Sequence, residues 1–428
     1  ENNMEYKKII EDNYTLHLIN SDRFKIMNVV VFLTKKYNEK DVPYGVLLTK
    51  NLVYSTKNYN TKNKIAIKGE ELYGSRVASS FTSTGNSLSF SFALDFLNPK
   101  YTKKEYLSKS IEFLCEVLFN PNVTKDGFDE QYFNIIKNDV IAAINSTKDN
   151  PAKYASIEYG KIMYKGTPSA KGVNPTVEEI EKVTPLKLYE YYNKLFNGEY
   201  KIDIAVHGEY DDEIINIIKE RFSKVKSSSK KINLYVKPKN NKFITKTDTL
   251  PFKQSRLLIG YKIKDPTYHE LNHVLKVYNT MLGTMNDSLL FNVVREKNSL
   301  CYSIGSYFSK YNSALTIYAG INKDNADKSI ELIKKCVEMM GDKKVINSLY
   351  NYALKTINTY LNNYYDDVTS QINEYYKKEF EETESVEELR SNINKVTIDE
   401  VINLNKKISL STIYLLRGEL WKRKHLKE

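Results

Sequence analysis

The sequence predicts an α+β fold of two homologous domains, each a mostly antiparallel sheet with helices packed on one face. The chain has 428 residues, which is too long for one ordinary domain. The same order of strand and helix patterns also occurs twice along it. Between the two copies, residues 226–252 are rich in Ser, Lys and Asn and contain Pro238 and Pro251, as linkers often do. We therefore predict a first domain at 1–225, this linker, and a second domain at 253–428.

Each copy contains a strand-rich segment, an amphipathic helix, a long helical tract and a closing helix with a strand. These four segments are residues 69–96, 109–121, 128–143 and 183–210 in the first copy, and 295–322, 328–340, 345–361 and 396–420 in the second. Matching positions are offset by 219 residues between Lys109 and Lys328 and by 210 between Gly208 and Gly418. A repeat of this length is too long for a solenoid, so each copy should fold as a domain.

Hydrophobic periodicity assigns the individual elements. Residues 88–96 (LSFSFALDF) and 314–321 (ALTIYAGI) alternate as half-buried strands do. A helical stripe of Ile111, Leu114, Cys115 and Leu118 follows the first of them. The copies close with strands at 202–208 and 411–418. Tight returns between these strands favour antiparallel pairing, with the helices stacked on the sheet.

Composition narrows the function classes. The net charge is +11, but lysines are interleaved with Asn, Ser and acidic residues, so we expect a solvated surface and no nucleic-acid partner. No apolar stretch is long enough to span a bilayer, and residues 1–8 lack the apolar core of a signal peptide. The cysteines, 115, 301 and 336, are far apart and odd in number, which favours reduced thiols and a cytoplasmic location. The sequence contains no GxSxG motif, P-loop or dinucleotide fingerprint.

The five histidines provide one formal metal motif. His17, His207 and His425 have no partner nearby in sequence, so we interpret them as structural. His269, Glu270 and His273 spell HELNH and match the HExxH zinc-peptidase motif. At 100° per residue, however, the apolar side chains of that helix lie opposite both histidines. We therefore expect that the HExxH spacing arose by chance on a solvated face and that this chain holds no metal. A metallopeptidase that uses His269, Glu270 and His273 without a partner stays open as an alternative function.

Residues 278–321 resemble the second domain of the insulinase/pitrilysin superfamily of zinc peptidases. The matching residues are Leu282, Gly283, Ser288, Leu290, Phe291, Arg295, Glu296, Lys297, Leu300 and Tyr302. The resemblance implies two similar α+β domains joined by a linker, which form half of a clamshell. It further implies that a second two-domain subunit often completes a chamber that encloses peptides.

The first half departs from that family's pattern. Active members carry HxxEH on the first helix of the first domain, and the corresponding stretch here is 45–61, which has no His. No histidine occurs between His17 and His207, and the family's downstream Glu ligand falls near Ala142 and Ala143. The resemblance therefore implies a member without the zinc site, in which zinc would belong to a homologous HxxEH-containing partner subunit.

The resemblance also identifies two candidate substrate-binding residues. Arg295 and Tyr302 match the Arg and Tyr that, in active members, stabilise negative charge on the scissile carbonyl. Without the resemblance, Arg295 would be read as a surface ion pair with Glu296 or Asp287, and Tyr302 as a half-buried strand residue. We expect a non-zinc subunit of a heteromeric peptidase that lends both residues to a partner's zinc site. The alternative is a catalytically inert structural or peptide-binding paralogue.

Overall fold

The computed structural model describes residues 4–237 and 242–419 and has the predicted α+β fold class. The strands are β1 Glu5–Ile10, β2 Thr15–Asn20, β3 Ile26–Lys36, β4 Arg76–Thr84, β5 Ser87–Leu97, β6 Val123–Thr124, β7 Gly127–Phe128, β8 Lys201–His207, β9 Ile244–Leu250, β10 Ser255–Ile263, β11 Cys301–Ser309, β12 Ala314–Ile321 and β13 Ile408–Gly418. The α-helices are α1 Val42–Tyr54, α2 Lys62–Glu71, α3 Glu105–Phe119, α4 Glu130–Asn145, α5 Pro151–Met163, α6 Val177–Glu181, α7 Pro185–Tyr192, α8 Asp212–Arg221, α9 Leu275–Asn279, α10 Ala326–Met339, α11 Lys343–Asn362, α12 Val368–Lys377, α13 Val386–Asn394 and α14 Ile398–Asn405. Among these described helices, none combines the length and apolarity needed to cross a bilayer.

The chain forms two compact units, and each is assembled from three segments. Unit 1 contains residues 1–145, 172–234 and 365–383, and unit 2 contains residues 146–171, 235–364 and 384–428. The main passage from one unit to the other, at 234–235, lies inside the segment predicted as the linker. That segment also contains β9, and its residues 238–241 lie outside the described part of the chain. The exchange of residues 146–171 and 365–383 between the halves was not anticipated from the sequence.

Unit 1 is built on a six-stranded sheet in the order β1-β2-β8-β3-β5-β4. All its pairings are antiparallel except that of β2 with β8. Alternation in β5 buries Phe90, Phe92 and Leu94 on one face, where they join the main hydrophobic core with side chains of α1 and α3. This is the packing that the period-two pattern predicts.

The opposite face of this sheet carries a helix from the second half of the chain. Ile372 and Tyr375 of α12 form a buried cluster with Val30 and Phe32 of β3. Tyr376 stacks on Phe32 with their ring centroids 3.9 Å apart. Unit 1 therefore has helices on both faces of its sheet.

Unit 2 is built on a five-stranded sheet in the order β11-β12-β10-β13-β9, with only the β13–β9 pairing parallel. Helix α5, from the first half of the chain, packs against β10 and β13. Its Tyr159 and Met163 are buried with Leu258 and Tyr414. Glycine is needed at position 260 of β10, because a Cβ there would lie 2.4 Å from the hydroxyl of Tyr159.

Candidate functional site

Helix α1 of unit 1 corresponds to the zinc-binding helix that the resemblance implies. Its buried polar side chains bond to the helix itself: Thr49 donates to the carbonyl of Gly45, and Asn51 to that of Leu47 at 2.8 Å. Lys50 is exposed. The acid that precedes the helix, Asp41, is paired with Lys35 at 2.9 Å. This donor set does not fit a catalytic zinc ion, which needs three His or carboxylate ligands around an open position.

The position of the downstream ligand is equally unsuitable for a metal. Ala142 and Ala143 lie near the end of α4, and both are exposed. A methyl side chain offers no donor atom. The helices α1 and α4 therefore cannot assemble the zinc centre of the active enzymes.

Arg295 of unit 2 lies in a π-helical turn, Phe291–Glu296, that precedes β11. Its side chain is 44% exposed, and its guanidinium lies over the ring of Phe291, 4.9 Å from the centroid. The carboxylate of Glu296 is 4.0 Å away, at the outer limit of an ion pair. An exposed contact at this distance contributes little to stability, so the guanidinium remains able to bind an external group.

Tyr302 follows on β11, which is an edge strand of its sheet. The residue is 58% exposed, so it is not the half-buried strand residue that would be expected without the family resemblance. Its hydroxyl donates to Asn322 Oδ1 at 3.1 Å, which leaves the oxygen able to accept and the ring open to solvent. Tyr302 lies at an irregularity of β11, where the register with β12 shifts between Cys301 and Ser303.

A tight turn joins the two residues. Ser299 adopts a left-handed conformation with φ of 51°, and its N–H donates to the carbonyl of Arg295 at 2.9 Å. Burial raises the pKa of the adjacent Cys301 thiol to about 11, and the positive charge of Arg295 opposes that rise. Together, Arg295 and Tyr302 offer a guanidinium and a phenol, both donors that strengthen as an oxygen acquires negative charge.

Unit 1 has a groove with both hydroxyl and apolar side chains on the sheet face that carries α12. The core-facing residues of β5 alternate with Ser87, Ser89 and Ser91, which pair across the strands with hydroxyl residues of β4. These side chains floor a cavity of about 590 Å³ that Tyr376 and Phe380 border. β4 ends the sheet, so within the described residues its outer edge has no partner strand. Such an edge can pair with an extended peptide through main-chain hydrogen bonds.

A buried ionic cluster in unit 1 was missed from the sequence. His17 Nε2 lies 3.1 Å from Asp203 Oδ1, and the carboxylate of Glu379 completes a trio close enough to share a cation. The ammonium of Lys201 lies 2.6 Å from Asp203 and 3.1 Å from Glu379, and Lys8 also pairs with Glu379. The two lysines already supply positive charge to this trio. No local motif could reveal it, because its members are far apart in the chain.

The ion pairs of Glu379 affect its acidity. Burial acts to raise the pKa of this carboxyl, but Lys8 and Lys201 outweigh it and hold the pKa below its usual value. Glu379 is therefore ionised at neutral pH and ties the segment after α12 to the sheet.

The HELNH residues do not lie as the sequence analysis expected. His269 is 43% exposed, whereas His273 is buried, so the outward placement of both histidines is wrong. The helix starts with a π-helical turn, Glu270–Val274, whose wider i→i+5 hydrogen bonding invalidates the angle of 100° per residue. Glu270 is paired with Lys407 at 2.8 Å and accepts from the N–H of Thr267. It is therefore not positioned as the base of a zinc peptidase.

This chain is similar to a family of zinc-peptidase homologues and to two bacterial proteins. The model of a family described as "Peptidase M16 inactive domain" matches residues 182–357, which include Arg295 and Tyr302. A relative named "Probable inactive metalloprotease YmfF" from Bacillus subtilis is 26% identical over 94% of this chain and 96% of its own length. A second Bacillus subtilis protein, "Uncharacterized zinc protease YmxG", is 26% identical over 54% of this chain and 55% of its own length.

Solved structures show the same fold over nearly the whole chain. A conserved protein from Enterococcus faecalis has a TM-score of 0.89 at 23% identity and covers 97% of this chain and 99% of its own. A structure described as a peptidase M16 inactive domain from Pseudomonas fluorescens has a TM-score of 0.78 at 17% identity, and the match covers 97% of this chain and 98% of that one.

Proposed function

Because the chain belongs to the insulinase/pitrilysin superfamily of zinc peptidases, as a member without the HxxEH motif, we propose that it is the non-zinc subunit of a heteromeric zinc peptidase. The complex degrades or processes peptides. A homologous HxxEH-containing subunit supplies the catalytic zinc, and this chain supplies Arg295 and Tyr302 to bind the substrate. The location proposed is the cytoplasm, consistent with three free cysteines in the described residues.

The exposure of Arg295 and Tyr302 carries this proposal. A guanidinium bound only by exposed contacts and a phenol on an open strand edge are accessible to a substrate from outside the chain. In the complex, Arg295 would donate to the scissile carbonyl, and Tyr302 would do so by turning its single hydroxyl hydrogen away from Asn322, while the partner's zinc would activate water.

The groove of unit 1 supports peptide as the substrate class. Main-chain pairing with the open edge of β4 does not depend on side-chain identity, so it suits a peptidase that accepts varied sequences. The hydroxyl floor formed with Ser89 and Ser91 provides both donors and acceptors for polar side chains of the peptide.

The relatives are consistent with a two-subunit arrangement. Bacillus subtilis has a protein named as a probable inactive metalloprotease and another named as a zinc protease, and this chain resembles both. An organism that retains both kinds of chain has the components for a mixed complex.

Reconstitution tests the proposal. The chain and an HxxEH homologue from the same genome are purified separately and mixed, and hydrolysis of a fluorogenic peptide library is measured for each sample. We expect little activity from this chain alone and a large gain in turnover on mixing, together with co-elution of the subunits in size-exclusion chromatography. Co-elution without any gain would support the inert structural paralogue, and failure to associate would reject the heteromeric proposal.

A further inference from the structure

Unit 2 contains a cavity on the sheet face that carries α5. It has a volume of about 250 Å³ and lies between the start of α5, which contributes Ala155 and Ser156, and side chains of β10, β11 and β12. Most of its lining is apolar or aromatic, and among the described residues that border it only Arg256 of β10 is charged. The cavity therefore offers one positive charge in an otherwise uncharged pocket. None of these side chains has a role in the proposed peptidase function.

The guanidinium of Arg256 has no partner. Within the described part of the chain its side chain forms neither an ion pair nor a hydrogen bond, and its Nε atom is buried from solvent. A guanidinium stays protonated at any pH at which proteins fold, and it has only donors. Burying such a group without an acceptor is unfavourable. Glu158 of α5 does not fill this role, because it is paired with Lys246 at 3.0 Å.

A glycine on the next strand positions this side chain. Arg256 of β10 pairs directly with Gly320 of β12. A Cβ on residue 320 would lie 2.9 Å from Arg256 Nη1, so only glycine leaves room for the guanidinium to lie across the sheet there. Glycine inside a strand is often found where another group approaches closely. The guanidinium is therefore held on the sheet face that borders the cavity.

Two tyrosines form the aromatic side of the cavity. Tyr307 of β11 and Tyr318 of β12 are 42% and 43% exposed, and their ring centroids are 6.2 Å apart. The hydroxyl of Tyr318 has no hydrogen bond to any residue that the structure describes. It is able to donate to an anion, while the two rings cover apolar atoms of the same ligand.

A carboxylate is the anion that fits this set of groups. The planar guanidinium presents parallel N–H groups that match the two oxygens of a carboxylate, and each group carries a single charge. A phosphate group carries about 1.5 to 2 negative charges at neutral pH, so one arginine would leave part of that charge unpaired. The start of α5 also contributes the positive end of a helix dipole.

We propose that Arg256 and Tyr318 bind a carboxylate of a peptide, supplied by its C-terminus or by an acidic side chain. The choice of a peptide as the carrier rests on the proposed function. Tyr302 and Tyr307 both lie on the edge strand β11, roughly 17 Å apart at the usual rise of a strand. A peptide of about five extended residues covers that distance. A substrate held at Tyr302 could therefore place a carboxylate in this cavity, which would favour acidic peptides or peptide C-termini.

Calorimetric titration of the full chain tests this proposal. Three acetylated peptides of equal length are compared: a neutral amidated peptide, the same peptide with a free C-terminal carboxylate, and an amidated form in which one central Gln is replaced by Glu. We expect at least one carboxylate peptide to bind about 10- to 100-fold more tightly than the neutral one, as charge-assisted hydrogen bonds allow. The peptide that gains affinity identifies the source of the carboxylate.

Matched arginine variants separate the cavity from general attraction, since the chain has a net charge of +11. Arg256→Gln should abolish the preference for a carboxylate. Arg417→Gln removes an exposed arginine from the same sheet, outside the cavity, and should preserve it. If Arg256→Gln does not fold, Arg256→Lys decides instead: it keeps the charge but loses the parallel N–H groups, so the preference should fall.

Two results would overturn the site. One is equal affinity of the wild-type chain for neutral and carboxylate peptides, and the other is a preference that survives unchanged in the Arg256 variants. Neither result bears on turnover in the reconstituted complex, because the titration uses this chain without a zinc subunit. Failure of the reconstitution would likewise leave the measured carboxylate preference unchanged.

Discussion

The two units share one architecture but hold the helix that comes from the other half of the chain with different sets of contacts. In unit 2, α5 is held by apolar packing of Met163, by a neutral hydrogen bond of 2.8 Å between Tyr159 and Thr316, and by an ion pair of 3.0 Å between Glu158 and Lys246 of β9. In unit 1, α12 brings Tyr376 onto hydroxyl side chains, and the residues after it bring Glu379 to two lysines. Equivalent positions in a duplicated fold therefore need only complementary surfaces, not the same interactions.

The units also differ in the chemistry they retain. The helix of unit 1 that corresponds to the zinc helix has no histidine, whereas unit 2 presents Arg295 and Tyr302 to solvent. Under the proposed function, unit 2 would supply these two donors to a zinc site on the partner subunit.

The largest expected effect concerns Arg295 and Tyr302 in the reconstituted complex. Arg295→Ala and Tyr302→Phe should each lower peptide turnover by about one to three orders of magnitude, since removal of one oxyanion donor costs about 2.7–4 kcal/mol in comparable enzymes. Turnover is measured under saturating peptide with each variant chain. The change of Tyr302 to Phe keeps the ring, so assembly should be preserved.

Matched surface variants control for this result. Tyr360→Phe changes another exposed tyrosine, and Arg417→Ala another arginine of 44% side-chain exposure. Both should leave turnover unchanged. Full activity of the Arg295 and Tyr302 variants in an intact complex would instead identify the chain as a scaffold.

The second prediction tests the apolar contact of α5. Gly260→Ala places a Cβ 2.4 Å from the Tyr159 hydroxyl and 2.5 Å from Met163 Sδ, so it should destabilise unit 2 by about 1–3 kcal/mol through overpacking. Gly160→Ala on α5 is the control, because the nearest heavy atom to its new Cβ is 3.8 Å away. That variant should be neutral or stabilise the helix by about 0.5–1 kcal/mol. Urea unfolding measures the free energy of unfolding of both variants. Equal stability would show that a Cβ at residue 260 does not clash with Tyr159 and Met163.

The third prediction tests the ionic contact of unit 1. Glu379→Gln should lower the free energy of unfolding by about 1–2 kcal/mol at neutral pH, because it replaces the charge-assisted hydrogen bonds from two lysines by weaker ones to a neutral amide oxygen. The pKa of Glu379 is lowered in the folded state, so its stabilisation is present above the unfolded pKa of about 4.3 and is lost as pH falls through the folded value. The wild-type and variant unfolding curves should therefore converge in acid. A difference that persists at low pH would show that packing, not charge, holds this segment.

The smallest effect is expected for Tyr159→Phe. This change removes one neutral hydrogen bond to Thr316 and should cost about 1 kcal/mol. Because neither partner titrates near neutral pH, the loss should be the same at neutral and acidic pH, unlike that of Glu379→Gln. Unfolding free energies at the two pH values check this contrast, and a strong pH dependence would contradict it.

Much of the fold and part of the site could be predicted from residue patterns alone. Alternation in 88–96 and 314–321 predicted two strands that the structure contains, because a sheet with one buried face leaves a period of two in the sequence. The absence of histidine between His17 and His207 established that the first half lacks the zinc motif. These are local properties, and neither depends on how distant segments meet.

Tertiary structure alone decided the rest. Residues 365–383 belong to unit 1 although they lie far beyond the predicted linker. The sequence could not predict this, because the pattern of an amphipathic helix shows that one face is buried but not which sheet buries it. His273 is buried in a π-helical turn and bonds to Glu384, more than a hundred residues away in sequence. A pattern of period 3.6 contains neither piece of information, since hydrogen bonding in the turn and the choice of partner are set only when the chain packs.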